Sequence, residues 1–131
     1  MIDVSVYKQG NYPIGVKKIK DTVKQTLESQ GVVSDSQVEI AIVGQKKMAE
    51  LIKEFYQEDK DLYAHPVLSF PASETQGQFV FPPDGKIHLG EVVVSYPLAL
   101  EITKKENRLI DEVVSELVEH GMLHLLGIHH N

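Results

Sequence analysis

The sequence predicts an α/β domain: a small sheet, mostly parallel with one antiparallel edge, and helices packed around it. Two observations predict it. Segments in which apolar and polar residues alternate take turns along the chain with segments whose apolar residues recur every three or four positions. The first pattern is that of strands and the second that of helices, and their alternation builds a sheet through helical crossovers. The chain also has 131 residues, 42% of them hydrophobic, which suits one core and one domain. No internal repeat or linker interrupts it.

The elements follow in order. Ile2, Val4 and Val6 alternate with polar residues and form a first strand. After Pro13 a helix runs from Ile14 to Ser29, with Val16, Ile19, Val23 and Leu27 on one face, and Gly31 ends it. Val38 to Val43 forms a second strand, and Gly44 turns the chain into a helix from Gln45 to Tyr56. Met48, Leu51, Ile52 and Phe55 are its apolar side. The charged stretch from Gln57 to Ala64 reads as a loop. Val67 to Phe70 is a third strand, closed by Pro71. From Pro71 to Lys86 the chain is turn-rich, with Pro82-Pro83 before Asp84-Gly85 and a brief strand at Phe79-Val80-Phe81. Leu89 to Ser95 is the fourth strand, and Pro97 fits the first turn of the helix after it. Thr103 and Glu106 have capping-box spacing, with Asn107 as the alternative cap, for a long helix from Arg108 to Leu126. Its inward residues are Leu109, Val113, Val114 and Leu117.

Composition narrows the function classes. No apolar run approaches the roughly 20 residues that span a bilayer, and MIDVSVYKQG lacks a charged-then-apolar signal pattern. The chain has no cysteine, which removes disulfides and thiolate ligands. A soluble cytoplasmic protein is the expectation. The net charge is −6, from 13 basic and 19 acidic residues. Phosphate contacts normally dominate affinity for nucleic acids, so an acidic body points to help from a partner. Three basic groups stand out: Lys17, Lys18, Lys20 and Lys24; Lys46, Lys47 and Lys53; Lys104, Lys105 and Arg108. Solvated helix faces account for such groups as readily as phosphate sites do.

The C-terminal segment carries the chemistry. His120, His124 and His130 fall into HxxxHxxGxxH, with Gly127 at the glycine. Residues four apart share a helix face, so His120 and His124 stand one turn above the other. Glycine enters the left-handed conformation freely and ends the helix, which lets the chain return His130 toward the same point. Three neutral imidazoles with a fourth position for water make a catalytic zinc site. His129 is an alternative third ligand. The leucines and glycine between the histidines distinguish the segment from a purification tag. The spacing is shared with the metzincin peptidases, whose HExxHxxGxxH carries a general-base glutamate after the first histidine. Gly121 stands there and cannot take a proton. Glu119 points about 100° away from His120 around the helix, and Glu116, one turn earlier, is better placed to reach the site.

HGMLHLLGIHH resembles more closely the HGxLHLxGYDH signature of the YbeY family, metal-dependent endoribonucleases of bacterial ribosomal RNA maturation. Val67-Leu68-Ser69-Phe70-Pro71 is similar to the end of that family's TDVLSFP strand, and Leu89-Gly90-Glu91-Val92-Val93-Val94-Ser95 to its LGDIVIS strand. The resemblance covers the chain from about Tyr56 to His130. Departures are Ile128-His129 for Tyr-Asp, Gln57 after Tyr56 for an arginine, and His65-Pro66 for Thr-Asp. The family also continues past the last histidine, whereas this sequence ends at Asn131.

The resemblance implies a zincin-like domain with a mixed four-stranded sheet, a divalent ion (zinc by default, another transition metal as the alternative) held by His120, His124 and His130, and a single-stranded RNA substrate, ribosomal RNA or the small ribosomal subunit. Such an ion lowers the pKa of a bound water and polarises a phosphoryl oxygen. Attack by that water and attack by the RNA's own 2′-hydroxyl both stay open. Val67 to Phe70 is the expected cleft strand, with Ser69 offering a hydroxyl to substrate. Of the remaining histidines, either His65 or His88 could approach the site, and His65, next to the expected cleft strand, is the better candidate. A metal-stabilised ribosome-associated factor without catalysis is the alternative function, and Gly121 argues against a peptidase.

Overall fold

The computed structural model describes residues 2–32, 34–56, 65–72 and 87–127. Four strands form one sheet in the order β1-β2-β4-β3: β1 is Ile2–Lys8, β2 Ser36–Val43, β3 Val67–Pro71 and β4 Ile87–Ser95. β1, β2 and β4 are parallel, and β3 lies antiparallel to β4 at the edge. The expected sheet, mostly parallel with one antiparallel edge, is the observed one. Helices α1 (Val16–Ser29), α2 (Gln45–Leu51), α3 (Tyr96–Glu106) and α4 (Ile110–Leu125) surround it. No helix of the described residues is long and apolar enough to cross a membrane.

Strand alternation divides the core into two layers. Val4, Val38, Ile40, Ile42, Val92 and Val94 point to one face, where Ile19, Val23 and Leu27 of α1 and Val113, Val114, Val118 and Met122 of α4 bury them. Ala41, Val43, Leu68 and Val93 point to the other, under Met48 of α2 and Ile52. β2 and β4 therefore read as almost unbroken apolar runs at their C-terminal ends, as strands covered on both sides do. β1 keeps its alternation because α1 covers only one of its faces.

Several boundaries differ from the sequence reading, each for a local reason. Ile14 is not yet helical: its N–H donates to Tyr12 O at 2.8 Å in a turn, and α1 begins at Val16. Gly31, at φ +78°, follows the cap Gln30 as expected. α2 is α-helical only to Leu51 and continues as a π-helical turn, Ile52–Tyr56. Thr103 caps nothing. It lies inside α3, where its hydroxyl donates to Ala99 O at 3.0 Å. Asn107 ends α3 in the left-handed conformation, φ 52°, which asparagine tolerates better than most residues, and does not start the next helix. α4 begins at Ile110, so Leu109 sits outside it and is 69% exposed instead of facing inward. The loop from Gln57 to Ala64 and the brief strand at Phe79-Val80-Phe81 lie outside the described residues.

Gly90 fixes where β3 meets β4. Between Gln37 and Val38 the β2–β4 register shifts, and Gly90 follows at φ +131°. A Cβ at that position would stand 2.2 Å from Phe70 O. No side chain fits between these strands there, which holds β3 in register beneath α4.

Candidate functional site

α4 presents His120 and His124 as its amphipathic pattern requires. Val114, Val118, Gly121 and Met122 take the buried face, and the two histidines fall on its flank, His120 exposed and His124 half-buried. Their ring centroids are 4.4 Å apart at an interplanar angle of 40°. His124 Nε2 is shielded from solvent. Neighbouring imidazoles one helical turn apart can bind one divalent ion, and imidazole suits zinc, copper, nickel and iron alike. α4 ends at Leu125, and Gly127 turns the chain at φ +81°, the break expected from the glycine in the motif. His130, the expected third ligand, and His129, its alternative, lie outside the described residues. Among the described residues no group of three or more His, Asp or Glu side chains converges on one point.

Gly121 has a structural reason for its lack of a side chain. A Cβ there would lie 2.5 Å from Val92 Cγ1, 3.1 Å from Val67 Cγ2 and 3.2 Å from Ser69 Oγ. The helix rests on β3 and β4 at this residue, so the position that bears a base in metzincins is here a packing surface. Ser69 completes the contact, its hydroxyl donating to Gly121 O at 2.8 Å. That bond uses the hydroxyl's only proton, so towards a substrate Ser69 has only lone pairs to offer.

The carboxylates near the histidines have other partners. Glu116 accepts a hydrogen bond from Arg108, which also donates to Glu106 at 3.0 Å and lies 3.9 Å from Glu112. The hydrogen bonds, the one donated to Glu116 foremost, raise the Arg108 pKa above its ordinary value. Glu119 is exposed and lines a groove between α1 and α4. Arg108 therefore closes a surface network on α4 and is not an open phosphate site. Lys17, Lys18, Lys24, Lys46, Lys47, Lys53, Lys104 and Lys105 are exposed, and Lys20 is half-buried. Lys17 lies 3.8 Å from Asp21, a solvated pair. His65 precedes β3 and is half-buried. His88 lines a groove of about 730 Å³ on the sheet face that carries Val93 and Phe70, away from the face on which α4 rests.

That groove holds a feature the sequence reading passed over. Glu39 and Glu91 are register partners on adjacent strands, and both line it. Burial raises the Glu91 pKa above its ordinary value, the charge of Glu39 adds to this, and Lys47 works against it. Tyr7 and Phe55, 63% and 52% exposed, stand over the same groove. The available signal was a glutamate inside each of two valine-rich strands.

Comparison with known proteins identifies the family and the fold. The family profile described as Endoribonuclease YbeY matches residues 7–131. A Dehalococcoides mccartyi protein named Endoribonuclease YbeY is 32% identical over 125 residues, covering 90% of this chain and 76% of the relative. Its counterpart of the same name from Thermus thermophilus is 32% identical over 128 residues, covering 97% and 86%. In three dimensions the chain is similar to the solution structure of TM1509 from Thermotoga maritima, with a TM-score of 0.58 at 23% identity over 98% of this chain and 75% of that one.

Two substitutions test the geometry. Gly121→Ala forces α4 and the sheet apart and costs roughly 1–3 kcal/mol, the range for overpacked sites, seen as a lower urea midpoint with an unchanged slope; a wild-type midpoint would contradict the close approach. Glu91→Gln works in the opposite direction. A carboxyl whose pKa is raised on folding is most favourable below its unfolded value and loses stability as pH rises through its folded value. The variant therefore gains less than about 1 kcal/mol at pH 7, since a half-exposed charge is screened by solvent, and the gain vanishes as the pH falls through the unfolded carboxylate value. Denaturation curves on both sides of that value check the sign.

Proposed function

The chain belongs to the endoribonuclease YbeY family, and we propose that it cleaves single-stranded RNA with a divalent metal ion, zinc by default, held by His120, His124 and His130. The observation that supports the metal is the paired imidazoles on one flank of α4, 4.4 Å apart, with a helix-ending glycine just beyond. The bound ion would supply Lewis acidity to a phosphoryl oxygen and lower the pKa of a water.

The chain's own residues have simpler tasks in this reading. His120 and His124 act as neutral nitrogen ligands from a helix seated on the sheet, which spares them reorganisation when the ion binds. β3 forms the wall beside them, and Ser69 faces RNA as an acceptor, suited to a ribose 2′-hydroxyl. Positive charge for the RNA backbone comes from exposed lysines, since Arg108 is engaged by three carboxylates. With a net charge of −6 the body of the protein contributes little to phosphate affinity. Ribosomal RNA in the context of the small subunit is therefore the proposed substrate, with the ribosome supplying affinity, and the cytoplasm the proposed location.

Elemental analysis of untagged protein and RNA cleavage test this together. Wild type is expected to carry one metal per chain and to lose cleavage on chelation. His124→Ala is expected to lose the metal and more than about 100-fold in rate, since outer-sphere changes alone cost 10–100-fold. A variant with full metal content and full activity would overturn the site. The ends of the products report the nucleophile: a 2′,3′-cyclic phosphate marks attack by the RNA's own hydroxyl, a plain monoester marks attack by water.

A further inference from the structure

Ser69 reaches α4 at a mechanically sensitive place. The carbonyl that accepts its proton belongs to Gly121, 52 residues away in sequence. α4 ends four residues later, at Leu125. In an α-helix the Gly121 carbonyl is also the acceptor for the Leu125 N–H, one bond before the end of the regular ladder. The last such bond runs from Leu126 N–H to Met122 O at 3.1 Å, and past it the chain tightens, with Gly127 N–H donating to His124 O at 3.0 Å.

His124 belongs to this terminal turn and His120 to the turn before it. Terminal turns fray, because their carbonyls lack helical partners. The spacing that brings the two imidazoles together exists only while residues 120–124 stay helical. The Val67 and Val92 side chains also lie against Gly121, and Ser69 adds a polar tie at this contact.

We infer that Ser69 is a positioning residue for the metal site: its hydrogen bond to Gly121 pins the last turn of α4 to β3 and so keeps His124 one turn from His120. This rests on the metal reading above and adds to it the group that sets the geometry. Ser69 acts through the helix backbone and need not touch the ion.

The test uses the full chain and two variants. Ser69→Ala removes the tie. Val118→Ala weakens the same helix by cavity formation at a buried position that makes no part of the tie. Three quantities are read: amide hydrogen exchange at Leu125–Gly127 without metal, zinc affinity by competition with a chromogenic chelator, and the visible absorption of the cobalt(II)-loaded protein. Ser69→Ala is expected to speed exchange in the last turn, to weaken zinc binding about ten-fold, the lower end of outer-sphere effects, and to alter the cobalt bands. Val118→Ala is expected to lower the unfolding temperature and leave zinc affinity and cobalt bands as in wild type. Ser69→Ala with wild-type affinity and spectrum would overturn the inference, as would an equal loss in Val118→Ala, which would make the effect one of general stability. Wild-type protein that binds neither zinc nor cobalt is a separate failure: it removes the metal reading itself, and this inference with it.

Discussion

The close approach of α4 to the sheet at Gly121 is the constraint on which the site depends. A helix normally stands off a sheet by the thickness of its side chains. Here one residue has none, and Val67, Ser69 and Val92 occupy the space that a Cβ would need. The contact brings the histidine flank of the helix down beside the edge strand. It also decides the chemistry of the position. A residue packed against two strands cannot be the solvated carboxylate that a metzincin uses at the same place in its motif, so the spacing shared with the peptidases does not carry their general base.

The two strands beneath this contact are set by a second close approach. At Gly90 the β4 backbone passes so near Phe70 O that only glycine fits. β3 is thereby fixed against β4, and α4 against both. The segments Val67–Pro71 and Leu89–Ser95, which carry the sequence resemblance together with the histidine motif, are the two strands that bear the helix. Much of what the motif records is thus the geometry of one helix lying on two strands.

The sheet was legible in the sequence because its strands alternate or run apolar according to how many faces are covered, and the histidine pair was legible because four-residue spacing on a helix has one geometric meaning. Other features were hidden for physical reasons. Asn107 looks like the start of a helix but ends one, since the same side chain suits a left-handed cap and an N-cap; the structure decides by where the apolar face resumes. Leu109 fits the helical period and still lies outside the helix. The tie from Ser69 to Gly121 and the apposition of Glu39 and Glu91 depend on register between segments 52 residues apart in each case. No local pattern encodes such register. Glu116 looked available to the histidines by spacing alone, and Arg108 had already claimed it.

In the proposed function the C-terminal histidines form one metal site with an open position. X-ray absorption at the metal edge of the loaded, untagged protein measures this most directly. Zinc in such a site gives a first shell of three imidazole nitrogens and one oxygen at about 2.0–2.1 Å, with imidazole outer-shell scattering for three rings. A shell with two imidazoles or fewer would mean that the residue after the glycine turn does not return to the helix, and the account of the site would be wrong.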